Sequence, residues 1–174
     1  MRLYVERGYE QTTVAEIAGE AGLTARTFFR HFTDKREVLF AGSEFLLARM
    51  VEALGAAPPG DGPMRAVAAA LDAAAAVLGR DPAWSRQRQS LIDANAELRE
   101  RELIKMATLA EAMAGALRSR GVKEPKASLT SEAGIAVFRV AFERWVEQPT
   151  TRNLPSLVRS SFADLRAVTA AAAP

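Results

Sequence analysis

Residues Thr13–Phe32 read TVAEIAGEAGLTARTFFRHF, and the fold turns on how that stretch divides. Val14, Ile17, Ala18 and Ala21 recur at i, i+3, i+4 and i+7, one apolar stripe on a first helix. Thr13 and Glu16 have the spacing of a capping box, in which the hydroxyl accepts from the Glu16 amide and the carboxylate reaches back. Gly22 is placed to end that helix in the left-handed conformation, which glycine adopts without strain. Leu23 is expected to plug the corner, and Thr24 to cap a second helix. On the second helix Phe28 and Phe32 share a face that packs on the first stripe. The opposite face presents Ala25, Arg26, Thr27 and Arg30, and no acid. A helix entering the major groove needs such a face: arginine can bridge guanine O6 and N7, and threonine offers a hydroxyl and a methyl.

Outward from this core, Gly8–Leu39 (GYEQTTVAEIAGEAGLTARTFFRHFTDKREVL) resembles the head of the tetracycline-repressor (TetR) family. The match rests on Gly8-Tyr9, Thr12-Thr13-Val14, Ile17-Ala18, Ala21-Gly22-Leu23, Thr27 to Phe32, and Lys35 with Leu39. The resemblance implies a DNA-binding transcriptional regulator, by family default a repressor that a small-molecule effector releases from a palindromic operator. It also implies roles. Thr13 would touch a phosphate, Thr24, Ala25, Arg26 and Thr27 would face the major groove, and His31 would be a phosphate partner. Lys35 would add a charge and an amide donor to a phosphate. Phe29 stands where the family usually has tyrosine, whose hydroxyl meets a phosphate, so that contact is reduced to packing. Met1–Arg7 supplies only the last turns of the family's first helix, and the natural chain is expected to extend upstream of Met1.

The bulk numbers fit a soluble helical protein. The chain has 174 residues, 49% apolar and 25% charged, and no cysteine, so it has neither disulfides nor thiolate metal sites. No apolar run reaches the roughly 18–20 residues that span a bilayer, and no signal peptide is evident, so membrane partners are not expected and the cytoplasm is. Net charge is only +2, and residues 1–40 sum to zero. Within them, however, Thr24–Arg36 holds four bases against one acid, together with the only histidine, His31. A phosphate-facing surface concentrates charge in this way; an ordinary solvated helix face does too.

The rest reads as an all-α body of longer helices, about nine helices in all with the head. The division is 1–40 for the helix-turn-helix head, its first helix truncated, and 41–174 for a ligand-binding and dimerisation body. A fourth helix is expected over about Lys35–Leu54 behind an Asp34 cap, then a linker at Gly55–Gly62. Pro63 and Pro82 sit where a first helical position tolerates proline. Further helices are expected from about Asn95 to Gly121, Thr130 to Pro149, and Leu154 to Val168. The alanine-rich stretch Ala66–Ala76 reads as a closely packed helix.

By resemblance, the last two helices pair with those of a second copy, and Val137, Ala141, Trp145, Leu157, Phe162 and Leu165 are the expected interface. Leu71, Leu78, Trp84, Leu91, Met106, Leu109, Met113 and Phe138 would line an effector pocket suited to an apolar or amphipathic molecule. Plain core is the competing reading for each. Arg86, Gln87 and Arg88 either offer polar contacts there or are solvated. No catalytic residues, metal ligands or cofactor are expected: one histidine, no glycine-rich phosphate loop and no informatively spaced carboxylates leave little from which to build an enzyme site. The alternative to a regulator is a helical small-molecule-binding or adaptor protein with a degenerate DNA-binding head.

Overall fold

The structure, a computed structural model, describes residues 1–147 and 152–171 and contains nine α-helices and no strand among them. Three short helices form the head: α1 (Arg2–Arg7), α2 (Val14–Glu20) and α3 (Ala25–Phe29). The body follows with α4 (Ser43–Ala56), α5 (Pro63–Leu78), α6 (Pro82–Ala94), α7 (Ala96–Ser119), α8 (Lys126–Glu147) and α9 (Leu154–Ala171). The expected punctuation is present. Pro63 and Pro82 open their helices, Asp81 caps α6 by accepting from the Trp84 amide at 2.9 Å, and Gly121 follows α7 at φ 85°. Pro149, expected to stop α8, lies outside the described residues.

The expected continuous fourth helix is broken in two. Asp34 caps a single 3-10 turn, Lys35–Val38, through the amides of Arg36 and Glu37. The chain then passes through Gly42 at φ 89° before α4 begins. That left-handed residue cannot continue a right-handed helix, so the head joins the body through a bent joint.

Alanine makes the body tight. Ala66, Val67, Ala70, Leu71, Ala74 and Ala75 of α5 are fully buried. They pack in one core with Leu109, Met113 and Leu117 of α7, Phe138 and Trp145 of α8, and Leu154, Val158 and Phe162 of α9. Helix α8 approaches α5 so closely at Gly134 that a Cβ there would collide with Val67. Arg120 pins the loop after α4, donating to the carbonyls of Gly55, Ala57 and Pro58 at 2.7–3.1 Å.

This core also takes in the residues expected at a dimer interface. Val137, Ala141, Trp145, Leu157 and Phe162 are buried within one chain, at most 6% exposed, and Leu165 packs against the same cluster. For those five the placement corrects the expectation, since residues already covered by α5 and by each other have almost no surface left to offer a second copy; Leu165, half-buried, keeps some. The stripes are apolar as their spacing implies, but they face inward. The outer surfaces of α8 and α9 carry Leu129, Ala136, Val140, Ala163, Ala167 and Val168 instead, all exposed.

A second, smaller cluster joins head to body. Tyr4, Tyr9, Leu39 and Phe40 bury against Ile92 of α6 and Leu98 of α7. The head is therefore seated on the body rather than tethered to it.

Candidate functional site

The helix-turn-helix forms as its spacing requires. Thr13 Oγ1 accepts from the Glu16 amide at 3.3 Å while Glu16 accepts from the Thr13 amide at 2.8 Å, completing the capping box. Gly22 turns the chain at φ 68°, and Thr24 caps α3 by accepting from the Thr27 amide at 3.2 Å. Phe28 is buried, with Phe32 beside it at 5.2 Å between ring centres. Leu23 differs from expectation. It is 47% exposed, because the corner is closed by backbone, the Leu23 amide donating to the Ala18 carbonyl at 2.8 Å.

Around α3 the structure sorts the basic residues into two groups. Arg2 pairs with Glu20 and Glu6, Arg7 with Glu16, and Arg36 with Asp34. Hydrogen bonds from the Arg36 side chain, ahead of burial working the other way, hold the Asp34 carboxyl below its usual range. Lys35 is also spent internally. Its ammonium donates to the carbonyls of Tyr9, Glu10 and Thr12 at 2.9–3.2 Å and lies 4.4 Å from the Tyr9 ring centre. An ammonium has three donors, and all three are engaged. The expectation that this charge grips a phosphate is thereby corrected: Lys35 fastens the 3-10 turn to the α1–α2 loop. Tyr4 closes the same knot by donating to the Lys35 carbonyl at 2.6 Å.

Arg26 and Arg30 remain without an ion pair among the described residues. Both are exposed, as are Thr24, Phe29 and His31, with Ala25 and Thr27 half-buried beside them. Phe29 is 57% exposed with its ring edge-on to Phe28, an apolar surface on an otherwise polar face. Thr13 is exposed, but its hydroxyl hydrogen goes to the Glu16 carboxylate at 2.9 Å. A phosphate contact through that hydrogen would compete with the capping box.

Behind the head, a cavity of about 300 Å³ opens between α4, α6, α7 and α8. Leu78, Trp84, Met106, Leu109 and Phe138 line it. Leu71 and Met113 lie in the core instead, and Leu91 packs against the head–body cluster, so those three are corrected. Residues not anticipated are Phe40, Ala41, Gly42, Ser43 and Phe45, which wall the cavity from the head side. They fell inside the helix expected to be unbroken; the Gly42-Ser43 pair was the signal of the bend that exposes them. Arg86 and Gln87 are exposed, whereas Arg88 lines the cavity. It donates to the Leu39 carbonyl at 2.8 Å and sits 4.8 Å from the Phe40 ring centre. Burial lowers its pKa against the opposing pull of Glu102. Among the described residues, no group of histidine, aspartate and glutamate is arranged to hold a metal ion, and no helix is long and apolar enough to cross a membrane.

A helix-turn-helix head whose α3 presents an exposed, acid-free face is seated on a helical body with a cavity. Residues 1–41 match the model for bacterial regulatory proteins of the tetR family, and residues 61–170 match the model for the MftR C-terminal domain. TcmR of Streptomyces glaucescens, an HTH-type transcriptional regulator, is 39% identical over 80 residues; these are 46% of this chain and 34% of that protein. The crystal structure of Thermus thermophilus FadR, a TetR-family repressor in complex with lauroyl-CoA, superposes with a TM-score of 0.60 at 22% identity, covering 94% of this chain and 87% of that one. The TetR-family regulator PfmR, also of Thermus thermophilus, gives 0.49 at 25% identity over 94% of this chain and 92% of its own. The chain belongs to the tetR family of bacterial regulatory proteins, with a body of the MftR C-terminal type.

Proposed function

We propose that this protein is a cytoplasmic transcriptional repressor that binds a palindromic operator as a homodimer and is released by an apolar or amphipathic small molecule. The observation that carries the reading is the outer face of α3, where Arg26 and Arg30 stand exposed and without an ion pair beside Thr24 and Thr27, while Arg2, Arg7 and Arg36 pair with carboxylates and Lys35 is bonded to backbone carbonyls. A cation that costs nothing to recruit is what base and phosphate contact requires. Dimerisation supplies the second reading helix, placed roughly 34–36 Å away so that both enter successive major grooves. The exposed stripe of Leu129, Ala136 and Val140 on α8, with Ala163, Ala167 and Val168 on α9, is the surface left for the second copy.

Release follows from where the cavity lies. Its wall includes Gly42, the bent joint between head and body, so a ligand that fills it favours a different joint angle and thereby a different head spacing. The test is selection of bound sequences from a random duplex library with the purified protein. A palindrome is expected, with binding that weakens steeply with salt and is lost in Arg26→Ala and Thr27→Ala. Sequence-independent binding that ignores both substitutions would instead favour a small-molecule-binding or adaptor protein whose head no longer reads DNA.

A further inference from the structure

We propose that the cavity takes an amphipathic carboxylic acid, its chain against the apolar wall and its carboxylate on Arg88. This rests on reading the cavity as the effector site and narrows the chemistry of what enters.

The wall is apolar except at a few places, and those decide the ligand's polar end. Asp81 is committed to capping α6, and Lys105 is tied to Glu37 at 3.1 Å. Arg80 is exposed at the rim. Arg88 is different: its side chain is largely buried in the wall, and part of its guanidinium is still open to the cavity. Its Nε donates to Leu39, and its Nη1 reaches Glu102 only at 3.4 Å, while Nη2 has no hydrogen-bond partner among the described residues. A carboxylate meeting a guanidinium squarely makes two parallel bonds at about 2.7–2.9 Å. Glu102 does not manage this, because its other oxygen is drawn to Gln89 Nε2 at 3.3 Å. An incoming carboxylate is therefore a better partner for Arg88 than the one it has.

The displaced Glu102 has somewhere to go. It stands on the wall between this cavity and a second one, lined also by Gln89, Arg99 and Arg139. Turning that way clears the first cavity and brings Glu102 near Arg99 and Arg139, but also near Asp93, Glu143 and Glu147, so the Arg88 contact with a ligand has to outweigh that crowding of carboxylates. Three cations, Arg80, Arg88 and Lys105, stand against two carboxylates, Asp81 and Glu102, in the lining, so the cavity disfavours a cationic ligand, and a neutral one gains no charge-assisted bond to Arg88.

Trp84 lines the cavity while the only other tryptophan, Trp145, is buried in the core, so Trp84 emission reports occupancy. Decanoate and methyl decanoate share a chain and differ in charge. Titrated into the wild-type protein, decanoate is expected to bind at least about tenfold more tightly than the ester. Arg88→Met should remove that preference while ester binding persists, and Arg88→Lys should keep part of it. If Arg88→Met does not fold, Glu102→Gln serves: with the competing carboxylate neutralised, decanoate should bind more tightly and the ester unchanged. Equal affinities of acid and ester, or weaker decanoate binding in Glu102→Gln, would overturn the proposal and leave the cavity reading standing. No response of Trp84 emission or melting temperature to either compound would overturn both.

Discussion

Glu37 in the head and Lys105 in the body's longest helix are joined by a 3.1 Å ion pair, and Arg101, one turn earlier, holds the other Glu37 oxygen. The three side chains are half-buried, and the contact spans the joint between head and body. Burial alone would raise the Glu37 pKa; the hydrogen bonds from Arg101 and Lys105 outweigh it and leave the carboxyl below its usual range. A carboxylate with a depressed folded pKa adds stability above its unfolded pKa, and that stability is lost as pH falls through the folded value. Glu37→Gln should therefore cost about 1–2 kcal/mol at pH 7, since a half-buried pair gives less than a fully buried one. The difference from wild type should vanish at a pH well below the ordinary carboxylate pKa of about 4.3. Urea unfolding of both proteins at the two pH values measures it, and an equal cost at both would sink the assignment.

Lys35 and Arg26 look alike in sequence and should behave differently. Lys35→Met removes three hydrogen bonds to carbonyls that hold the α1–α2 loop, and it should destabilise the head by about 1–3 kcal/mol. It should leave the salt dependence of operator binding unchanged, because its charge does not reach the phosphates. Arg26→Ala and Arg30→Ala should do the reverse: stability within about 0.5 kcal/mol of wild type, and a salt slope shallower by about one if the lost contact is to phosphate. Thermal melts together with anisotropy titrations at several salt concentrations separate the two classes. A slope change in Lys35→Met would return that residue to the DNA surface.

Phe29 is an exposed ring at the edge of the reading face. Phe29→Tyr adds only a hydroxyl, into solvent, so folding stability should hold to within about 0.5 kcal/mol. If the face meets DNA as proposed, the new hydroxyl gains one phosphate hydrogen bond. Operator affinity should then rise about fivefold, corresponding to about 1 kcal/mol. Anisotropy with wild type alongside reads the gain, and an unchanged affinity would show that position 29 stands off the backbone.

What could be read from the sequence follows the range of the physics involved. The capping box at Thr13, the turn at Gly22 and the cap at Thr24 are set by residues within four positions of each other, and all appear in the structure as spaced. The nine helices follow from caps, prolines and period for the same reason. Lys35 failed because its partners lie 23 to 26 positions away, where no spacing rule reaches. The dimer residues failed for a related reason. Periodicity shows that Trp145 and Phe162 are apolar and share faces; whether a face is covered by α5 or by another chain depends on how helices stack. The pocket fell between: apolar lining is guessable from composition, but Phe40, Gly42 and Ser43 join it only because the joint bends.

The burial pattern on α8 and α9 allows the interface to be tested without confusing assembly with folding. Val140 is 46% exposed and Ala163 is on the outer surface, so a charge at either costs the single chain little. In a dimer formed through these helices, the same charge would be desolvated on both copies, since a two-fold interface repeats every residue. Like charges desolvated together are strongly unfavourable. Val140→Glu and Ala163→Glu should therefore shift the protein from dimer to monomer in analytical ultracentrifugation while the circular dichroism stays helical. Operator affinity should fall by at least about a hundredfold, because a lone head loses its second half-site. Trp145→Ala should behave in the opposite way: it empties a buried site and costs about 3–5 kcal/mol, so it unfolds the chain rather than splitting the pair. If Val140→Glu and Ala163→Glu both remain dimeric at micromolar concentration, the second copy does not sit on this stripe.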